Sequence, residues 1–516
     1  MLNRAQLLLG LFLGLPCLVS PLGCAKSEES TDTPAATTGG STGDATGGGD
    51  GGGNDGGGTG TTTGGPLCTK TPNEDFFVVF GYMGRIQGLP PNGNIDENDL
   101  HVMPPTAKFK HIALTDLQLA EEGVTCKYSC LVNDDLTRIA VATAPPGKGG
   151  YEFKYGLFND CKEAKLNKGV KLSNVADLEF ATHYLYYSTE KSCSGASCQY
   201  EIWRIDTDDP TKKELLVPFF PPPEDEDWIN GDTIYNGQFT TSPDGETLVL
   251  LSPTIRSQRV YLWTKGTLHQ VDYICETYQN DHCIGTGSQY RDSDPVGISP
   301  DSKTVVMFAK NDRSLLLKRY STENPDDKRD STFFQTQGTG DYKSLACATR
   351  KPGQFIDTLG NPKFTPDGKQ LLFVGKSECV STSQSKPETD IYAIDPSWIG
   401  DLTPVEESEL FNVTKNAKGP VPTNNVVKNF TISADGQEVI FVATPHLSSS
   451  WSPLPDTDQS QFGRAEIYKV PICGGTKTQL TSNVKFQATS LRVVPIPDFS
   501  KCPTSPLAKA NWPPVK

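Results

Sequence analysis

From Cys68 onward the chain is organised by a recurring alternation of apolar and polar positions around a short acidic turn. The clearest copies are FTTSPDGETLVLLS (Phe239 to Ser252) and PKFTPDGKQLLFVG (Pro362 to Gly375). The phrase returns as VGISPDSKTVVMFA from Val296, as FTISADGQEVIFVA from Phe430 and, in worn form, as CLVNDDLTRIAVAT from Cys130. All five copies align without gaps on Asp135, Asp244, Asp301, Asp367 and Asp435. Apolar residues stand four and six places after each aspartate: Ile139/Val141, Leu248/Leu250, Val305/Met307, Leu371/Phe373 and Val439/Phe441. That period predicts a strand with one face buried. The Asp-Gly or Asp-Ser pair takes the tight conformations that reverse a chain between two strands. The five aspartates are therefore expected to be turn residues whose side chains accept local backbone N–H bonds, distributed over the fold and not gathered at one site.

Several copies continue into a third strand of aromatic and β-branched residues: YEIWRID at Tyr200, RVYLWT at Arg259, DIYAID at Asp390 and AEIYKV at Ala465. After the last comes GGTKTQLT, a turn and a short fourth strand. Units of four strands repeated along a chain are what a propeller blade needs. The pattern resembles the TolB-like, WD-repeat-like propeller repeat of exported bacterial proteins, and the resemblance covers most of the chain after Cys68. It departs from that family in long insertions, the Pro- and acid-rich FFPPPEDEDW (Phe219 to Trp228) and the stretch from Ser321 to Phe355. Asp135 and Asp244 stand 109 residues apart against 57, 66 and 68 for the later steps, so one unit lies between them, at VADLEFATHYLYYS from Val175, without its turn aspartate. FQATSLRVVPI from Phe486 and the early strands FFVVFGY from Phe76 and KHIALTDL from Lys110 would join as a composite blade. The expected fold is an all-β TolB-like propeller of four-stranded blades, seven favoured over six, closed by pairing of the N- and C-terminal strands and leaving no exposed edge.

The first residues read differently. A polar start with one cation, Arg4, precedes an apolar run from Leu7 to Val19 that is short for a membrane span and fits a signal peptide over residues 1–23. The run closes at Gly23-Cys24, which resembles the lipobox of bacterial lipoproteins, with Pro21 and Leu22 where that family usually has Leu and a small residue. The resemblance implies lipidation of Cys24; the alternative is a secretory signal cut elsewhere, and either exports the protein. Residues 24–67 form a linker whose Gly, Thr, Ser and Asp cannot bury a core. As a flexible coil of roughly 40 residues it would hold the folded part on the order of 35 Å from its anchor. Ala25, where an Asp is absent, points by the same resemblance to the outer membrane, on its periplasmic face or at the cell surface. Residues 68–502 are assigned to the propeller and 503–516 to a tail.

Composition sharpens this picture. Of 516 residues, 62 are acidic and 47 basic, a net charge of −15 that gives no footprint for nucleic acid. Met is scarce (4) while Gly (48) and Pro (39) are abundant, which favours turns over long helices. Fourteen cysteines, less Cys17 in the signal and Cys24, leave twelve, an even number suited to an oxidising compartment. Cys193 with Cys198 and Cys275 with Cys283 bracket short polar loops and are expected disulfides; Cys347 with Cys379 and Cys473 with Cys502 are expected to staple an insertion and the tail. Cys68, Cys126, Cys130 and Cys161 allow three connectivities.

No chemistry-bearing constellation emerges. Gly-x-Ser-x-Gly occurs only in the Gly-rich linker, at Gly39 to Gly43, where no nucleophile elbow can form, and the six histidines, His101, His111, His183, His269, His282 and His446, show no shared ligand spacing. In NGNIDENDL, Asn92, Asn94, Asp96 and Asn98 alternate like calcium ligands, but Met103 stands where the closing Glu of an EF-hand is required, so a solvated loop is expected. IDTDDP, with Asp206, Asp208 and Asp209, reads as an exposed turn, and PPPEDEDW with Trp228 as a solvated or recognition loop. No catalytic residue, metal or cofactor is assigned. The TolB-like resemblance implies a non-enzymatic platform that binds an envelope or extracellular protein through the propeller face and central channel, tethered to the membrane by lipid. The alternative is an envelope glycan lyase or hydrolase with its site at the channel mouth. Mass spectrometry of the mature protein is expected to find lipid-modified Cys24 as its first residue; an unmodified chain beginning elsewhere would remove the anchor while leaving export standing.

Overall fold

The computed structural model describes residues 75–85, 96–105, 112–113, 130–134, 136, 138–142, 153–157, 172–194, 197–222, 237–253, 257–275, 278–279, 282–283, 296–310, 314–335, 357–376, 390–399, 410–414, 425–445, 466–481 and 486–496. By packing, the chain divides into residues 1–60, none of them described, and residues 61–516, which hold every described element.

The described part is all-β and its strands pair antiparallel. Strands β1 (Phe76–Arg85), β2 (Asp96–Met103) and β3 (Ile112–Ala113) share a sheet with β29 (Phe486–Pro495), in the order β29-β1-β2-β3. The first strand of the described chain thus pairs with the last, Phe76 opposite Pro495 and Gly84 opposite Phe486. A three-stranded sheet follows, made of β4 (Cys130–Val132), β5 (Arg138–Ala142) and β6 (Phe153–Leu157). Next come two four-stranded meanders, β7 (Val175–Ala181), β8 (Tyr184–Ser194), β9 (Ser197–Asp206) and β10 (Lys213–Phe220), then β11 (Phe239–Thr241), β12 (Thr247–Pro253), β13 (Ser257–Thr264) and β14 (Thr267–Cys275). A small ribbon of β15 (Tyr278–Gln279) and β16 (His282–Cys283) precedes the sheet of β17 (Val296–Ile298), β18 (Thr304–Lys310), β19 (Ser314–Ser321) and β20 (Lys328–Gln335). The last two meanders are β21 (Asp357–Phe364), β22 (Leu371–Lys376), β23 (Asp390–Ile394) and β24 (Phe411–Asn412), and β25 (Asn425–Ile432), β26 (Glu438–Pro445), β27 (Glu466–Pro471) and β28 (Thr478–Gln479).

The turn between the first two strands is built alike in four sheets. The Ser242 hydroxyl donates to Asp244 Oδ1 (2.5 Å), the Glu246 N–H donates to the same oxygen (3.0 Å), and the Thr247 N–H donates to Ser242 Oγ (2.9 Å). The same three bonds recur around Asp301 with Ser299, around Asp367 with Thr365 and around Asp435 with Ser433. Gly245, Gly368 and Gly436 follow their aspartates with φ of 75°, 71° and 73°, the left-handed conformation that glycine adopts without strain. Asp135 lies outside the described residues; in its turn Asn133 Oδ1 accepts the Arg138 N–H (2.8 Å). In the unit without the aspartate, Thr182 turns the chain at φ 54° between β7 and β8.

The second strands correct the expectation of one buried face. Leu248, Val249 and Leu250 are all buried, as are Val305 to Met307, Leu371 to Phe373 and Val439 to Phe441. The cause is stacking, because each sheet is covered by a neighbour on both sides. Val306, Phe308 and Leu317 pack on Leu371, Phe373 and Tyr392 of the following sheet, whose other face, through Leu372, Val374 and Ile391, meets Phe430, Val439 and Phe441. Ile440, Val442 and Ile467 in turn pack on Phe76, Val78 and Phe80. Burial of this kind, at about 25 cal/mol per Å² of apolar surface, is the main stabilising term.

Two other readings change. The second half of NGNIDENDL, expected as a solvated loop, opens strand β2, which pairs with β1 along its length and is buried from Leu100 to Met103. The supposed insertion after Ser321 contains β20, whose Asp330 and Lys328 join a polar junction between sheets. There Asp272 of β14 accepts from Lys318 Nζ (2.9 Å), Lys328 Nζ (3.2 Å) and the Tyr320 hydroxyl (2.9 Å). Burial alone would raise the Asp272 carboxyl, but the two ammonium groups and the phenol hold it below the ordinary range.

Asp367→Ala, which removes one turn acceptor, is expected to lower the unfolding free energy by about 1 kcal/mol in urea titration, the usual cost of a lost side-chain cap.

Candidate functional site

A cavity of about 600 Å³ is walled by β4, β7, β11, β17, β21, β25 and β29, in each case the strand at one margin of its sheet. A marginal strand carries N–H and C=O groups with no strand to pair with. The polar side chains of the wall supply several of the missing partners. Asp177 Oδ2 accepts the Phe239 N–H (3.1 Å), and Glu179 Oε2 accepts the Thr241 N–H (2.8 Å). Two carboxylates two residues apart on β7 thereby match two N–H groups two residues apart on β11, as the period of extended strands requires.

Other junctions use different chemistry. Arg492 of β29 donates through Nη1 to the Val132 carbonyl of β4 (3.0 Å), with Asp134 Oδ1 at 3.5 Å. Asn361 Nδ2 donates to Asn429 Oδ1 (2.8 Å), joining β21 to β25. Between β17 and β21 the backbones themselves meet: a Cβ on Gly297 would lie 2.4 Å from the Pro362 carbonyl oxygen, so only glycine fits. Lys363 Nζ stands 5.7 Å from the centroid of the Phe430 ring, within cation–π reach.

Glu179 is the electrostatic centre of the wall. Burial pushes its carboxyl up to about 7, against the pull of the Thr241 N–H and hydroxyl and of Arg492, and the Asp177 charge adds to the rise. At neutral pH it is therefore close to half-protonated. Thr241 itself is buried.

The residues singled out from the sequence lie elsewhere. Asp244, Asp301, Asp367 and Asp435 each accept a hydrogen bond within their own sheet's turn, and Asp301 and Asp367 line one pocket between neighbouring turns. Asp206 caps the turn after β9, accepting the N–H groups of Asp208 and Asp209 at Oδ1. Cys193 and Cys198 are joined across the β8–β9 hairpin, with Cα atoms 4.1 Å apart. Glu190 lies beside them, but sulfurs spent in a disulfide are not metal ligands. Cys473 is disulfide-bonded, and Cys502 lies outside the described residues, as do Cys24, Cys347, Cys379 and Trp228. Cys275 ends β14 and Cys283 lies in β16. No described histidine lines the cavity: His101 is buried against Phe80, and His183 sits in the β7–β8 turn.

No protein-family model matches the chain, and no curated protein is similar to it in sequence. Solved structures that resemble it include TolB from Acinetobacter baumannii, at 15% identity over 67% of this chain and 69% of that one, with a TM-score of 0.31. A putative 6-phosphogluconolactonase from Bacteroides uniformis matches at 11% identity over 82% of this chain and 100% of that one, with a TM-score of 0.39. Oligopeptidase B from Trypanosoma brucei matches at 11% identity over 80% of this chain and 48% of its own length, with a TM-score of 0.44. At these identities none of the three bears on activity.

Sequence reading placed a unit at VADLEFA but missed the part played by its two acids, Asp177 and Glu179, which alternate with Leu178 and Phe180. Acids on the exposed face of a first strand were the available signal. Because the folded Glu179 holds its proton more tightly than the unfolded chain, it favours folding fully below about pH 4.5, and that contribution disappears as pH rises through about 7. Glu179→Gln should remove this slope, so that between those limits the variant gains about 3 kcal/mol relative to the parent in pH-resolved urea unfolding.

Proposed function

We propose that the chain is an exported, lipid-anchored β-propeller of seven blades, acting as a platform that binds an envelope or extracellular protein at its central cavity. Seven blades are supported by seven marginal strands around one cavity. A closed ring is supported by the β1–β29 pairing and by the Arg492 bond that links the last sheet to β4. Anchoring through Cys24 rests on the likeness of Gly23-Cys24 to a lipobox and on the linker behind it.

The observation that carries the binding reading is the employment of the cavity's charged groups. Asp177, Glu179 and Arg492 each bond the backbone of a neighbouring sheet, so the wall is a fixed polar surface. The rival reading, a glycan lyase or hydrolase, draws on the Glu179 carboxyl, which titrates near neutrality as a general acid or base would. Proton transfer there would repeatedly weaken the bond that holds β11 to β7, and the neighbouring Asp177 is tied to β11 as well.

Photo-cross-linking in membranes of the source cell tests the platform. A cross-linker at Lys363 or Thr431 is expected to capture a discrete envelope protein, and one at Leu215, on the outer strand β10, is not. Capture from Leu215 alone would move the binding surface away from the cavity.

A further inference from the structure

A second cavity, of about 820 Å³, lies between the turns of two neighbouring sheets, β17–β20 and β21–β24. Its size is that of a ligand-binding cleft. Pro300, Pro366 and Pro396 form rigid parts of its wall, and Phe364 lines both this cavity and the central one, so the two adjoin. Arg319 enters it from the third strand, β19. Leu317, two residues earlier, packs on the following sheet, and the period of an extended strand puts Arg319 on that same face. Lys318 and Tyr320 point the other way, to Asp272. Arg319 is half-buried, yet among the described residues its guanidinium has no hydrogen bond and no ion pair. That sets it apart from the other arginines: Arg138 pairs with Asp208, Arg204 with Glu214, Arg329 with Asp327 and Arg492 with Asp134, and Arg259 reaches Gln270.

Acids line the same cavity but serve their own turns. Asp301 Oδ1 accepts the Ser299 hydroxyl and the Lys303 N–H, and Asp367 Oδ1 accepts the Thr365 hydroxyl and the Lys369 N–H. Asp395 Oδ1 accepts the Ser397 N–H, and Lys369 Nζ stands 3.3 Å from Asp367 Oδ2. These short-range bonds orient each carboxylate within its turn and leave the guanidinium without a counter-ion. The lining therefore asks for an anionic acceptor at Arg319, and for N–H donors at Asp395, which retains acceptor capacity. Inorganic phosphate meets only the first need, and as a dianion it is repelled by the three flanking carboxylates. A peptide segment meets both, with a singly charged carboxylate that matches the guanidinium fork and with its own backbone N–H groups. Because this cavity adjoins the central one, the segment crosses it without ending there, and the carboxylate is that of an Asp or Glu side chain.

We propose that Arg319 anchors a peptide-binding subsite between these two sheets, taking an acidic side chain of the protein that occupies the central cavity. The proposal rests on the reading of the central cavity as the binding site of a platform. It supplies that platform with a means of selection: on a chain of net charge −15, one fixed and unpaired cation accepts an acid at a single place and leaves acids elsewhere repelled.

Side-chain NMR of the full mature chain carrying isotope-labelled arginine tests it, the Arg319 Nε–H signal being identified by its loss in Arg319→Lys. The probes are N-acetylglutamate α-methylamide, its neutral N-acetylglutamine counterpart, N-acetylalanylalanine with only a terminal carboxylate, and inorganic phosphate. The glutamate probe is expected to shift the Arg319 signal saturably and to bind about tenfold more tightly than any of the other three. Saturation transfer to the same probe should vanish with Arg319→Gln. Because Arg319 makes no bond within its own fold, Arg319→Gln should also leave the urea midpoint where it is, whereas a structural arginine would lower it. An unmoved Arg319 signal, equal binding of the glutamine probe, tighter binding of phosphate or of the terminal carboxylate, or a lowered midpoint in Arg319→Gln would overturn the subsite. If Arg319 fails to respond while cross-links from Lys363 persist, the subsite falls and the platform stands; if Lys363 captures nothing while Arg319 responds as expected, the platform falls and the acidic-peptide site stands.

Discussion

The structure turns on how strands at the inner margin of each sheet satisfy backbone groups that no further strand can reach. In an open sheet such an edge is left to water or invites another chain. Here the margins of seven sheets face one cavity, and the junctions between them are made by side chains reaching across. Asp177 and Glu179 serve β11, Arg492 serves β4, and Asn361 meets Asn429. Where no side chain intervenes, at Gly297 against Pro362, the two backbones touch and the residue must be glycine. These contacts determine which side chains project into the cavity, so the polarity of the candidate site is a by-product of edge management.

Outside the cavity the constraint is packing. A sheet with neighbours on both faces has no polar side to its second strand, which is why Val249, Val306, Leu372 and Ile440 are as buried as the residues flanking them. Buried charges find partners, Asp272 with Lys318 and Lys328 of the next sheet, and Glu438 with Lys469 of its own sheet at 3.0 Å. An unpaired charge at such a depth would cost several kcal/mol, while a satisfied cluster fixes the register of one sheet on the next.

The repeat was legible in the sequence because turn chemistry is local. An Asp-Gly pair and the apolar residues four and six places on need only their immediate neighbours, and the third strands at Tyr200, Arg259, Asp390 and Ala465 could be found by composition alone. The hydroxyl two residues before each aspartate, Ser242, Ser299, Thr365 or Ser433, stood in the same phrase, but its role as the hinge of three hydrogen bonds emerges only in three dimensions. Strand β2 was hidden because its first half, Asp96 to Asp99, is polar and mimics a ligand loop; what makes it a strand is pairing with β1. The cavity was illegible for a stronger reason. Its residues come from seven separate strands, and no spacing along the chain records that Glu179 and Arg492 face each other across more than three hundred residues.

Glu179 also shows why structural and functional duties are hard to separate at a site of this kind. A carboxylate placed to bond an edge N–H is stabilised in its ionised form by that bond, yet the enclosure that makes the bond worthwhile penalises the same charge. The second effect exceeds the first here, since the carboxyl rises to about 7 in spite of the Thr241 N–H and the Arg492 guanidinium. A group kept only to hold β11 would serve equally well as glutamine, which accepts the same N–H without the desolvation cost. Retaining an acid at this point sacrifices some stability near neutral pH, and such a sacrifice is characteristic of residues that do something besides hold the fold together.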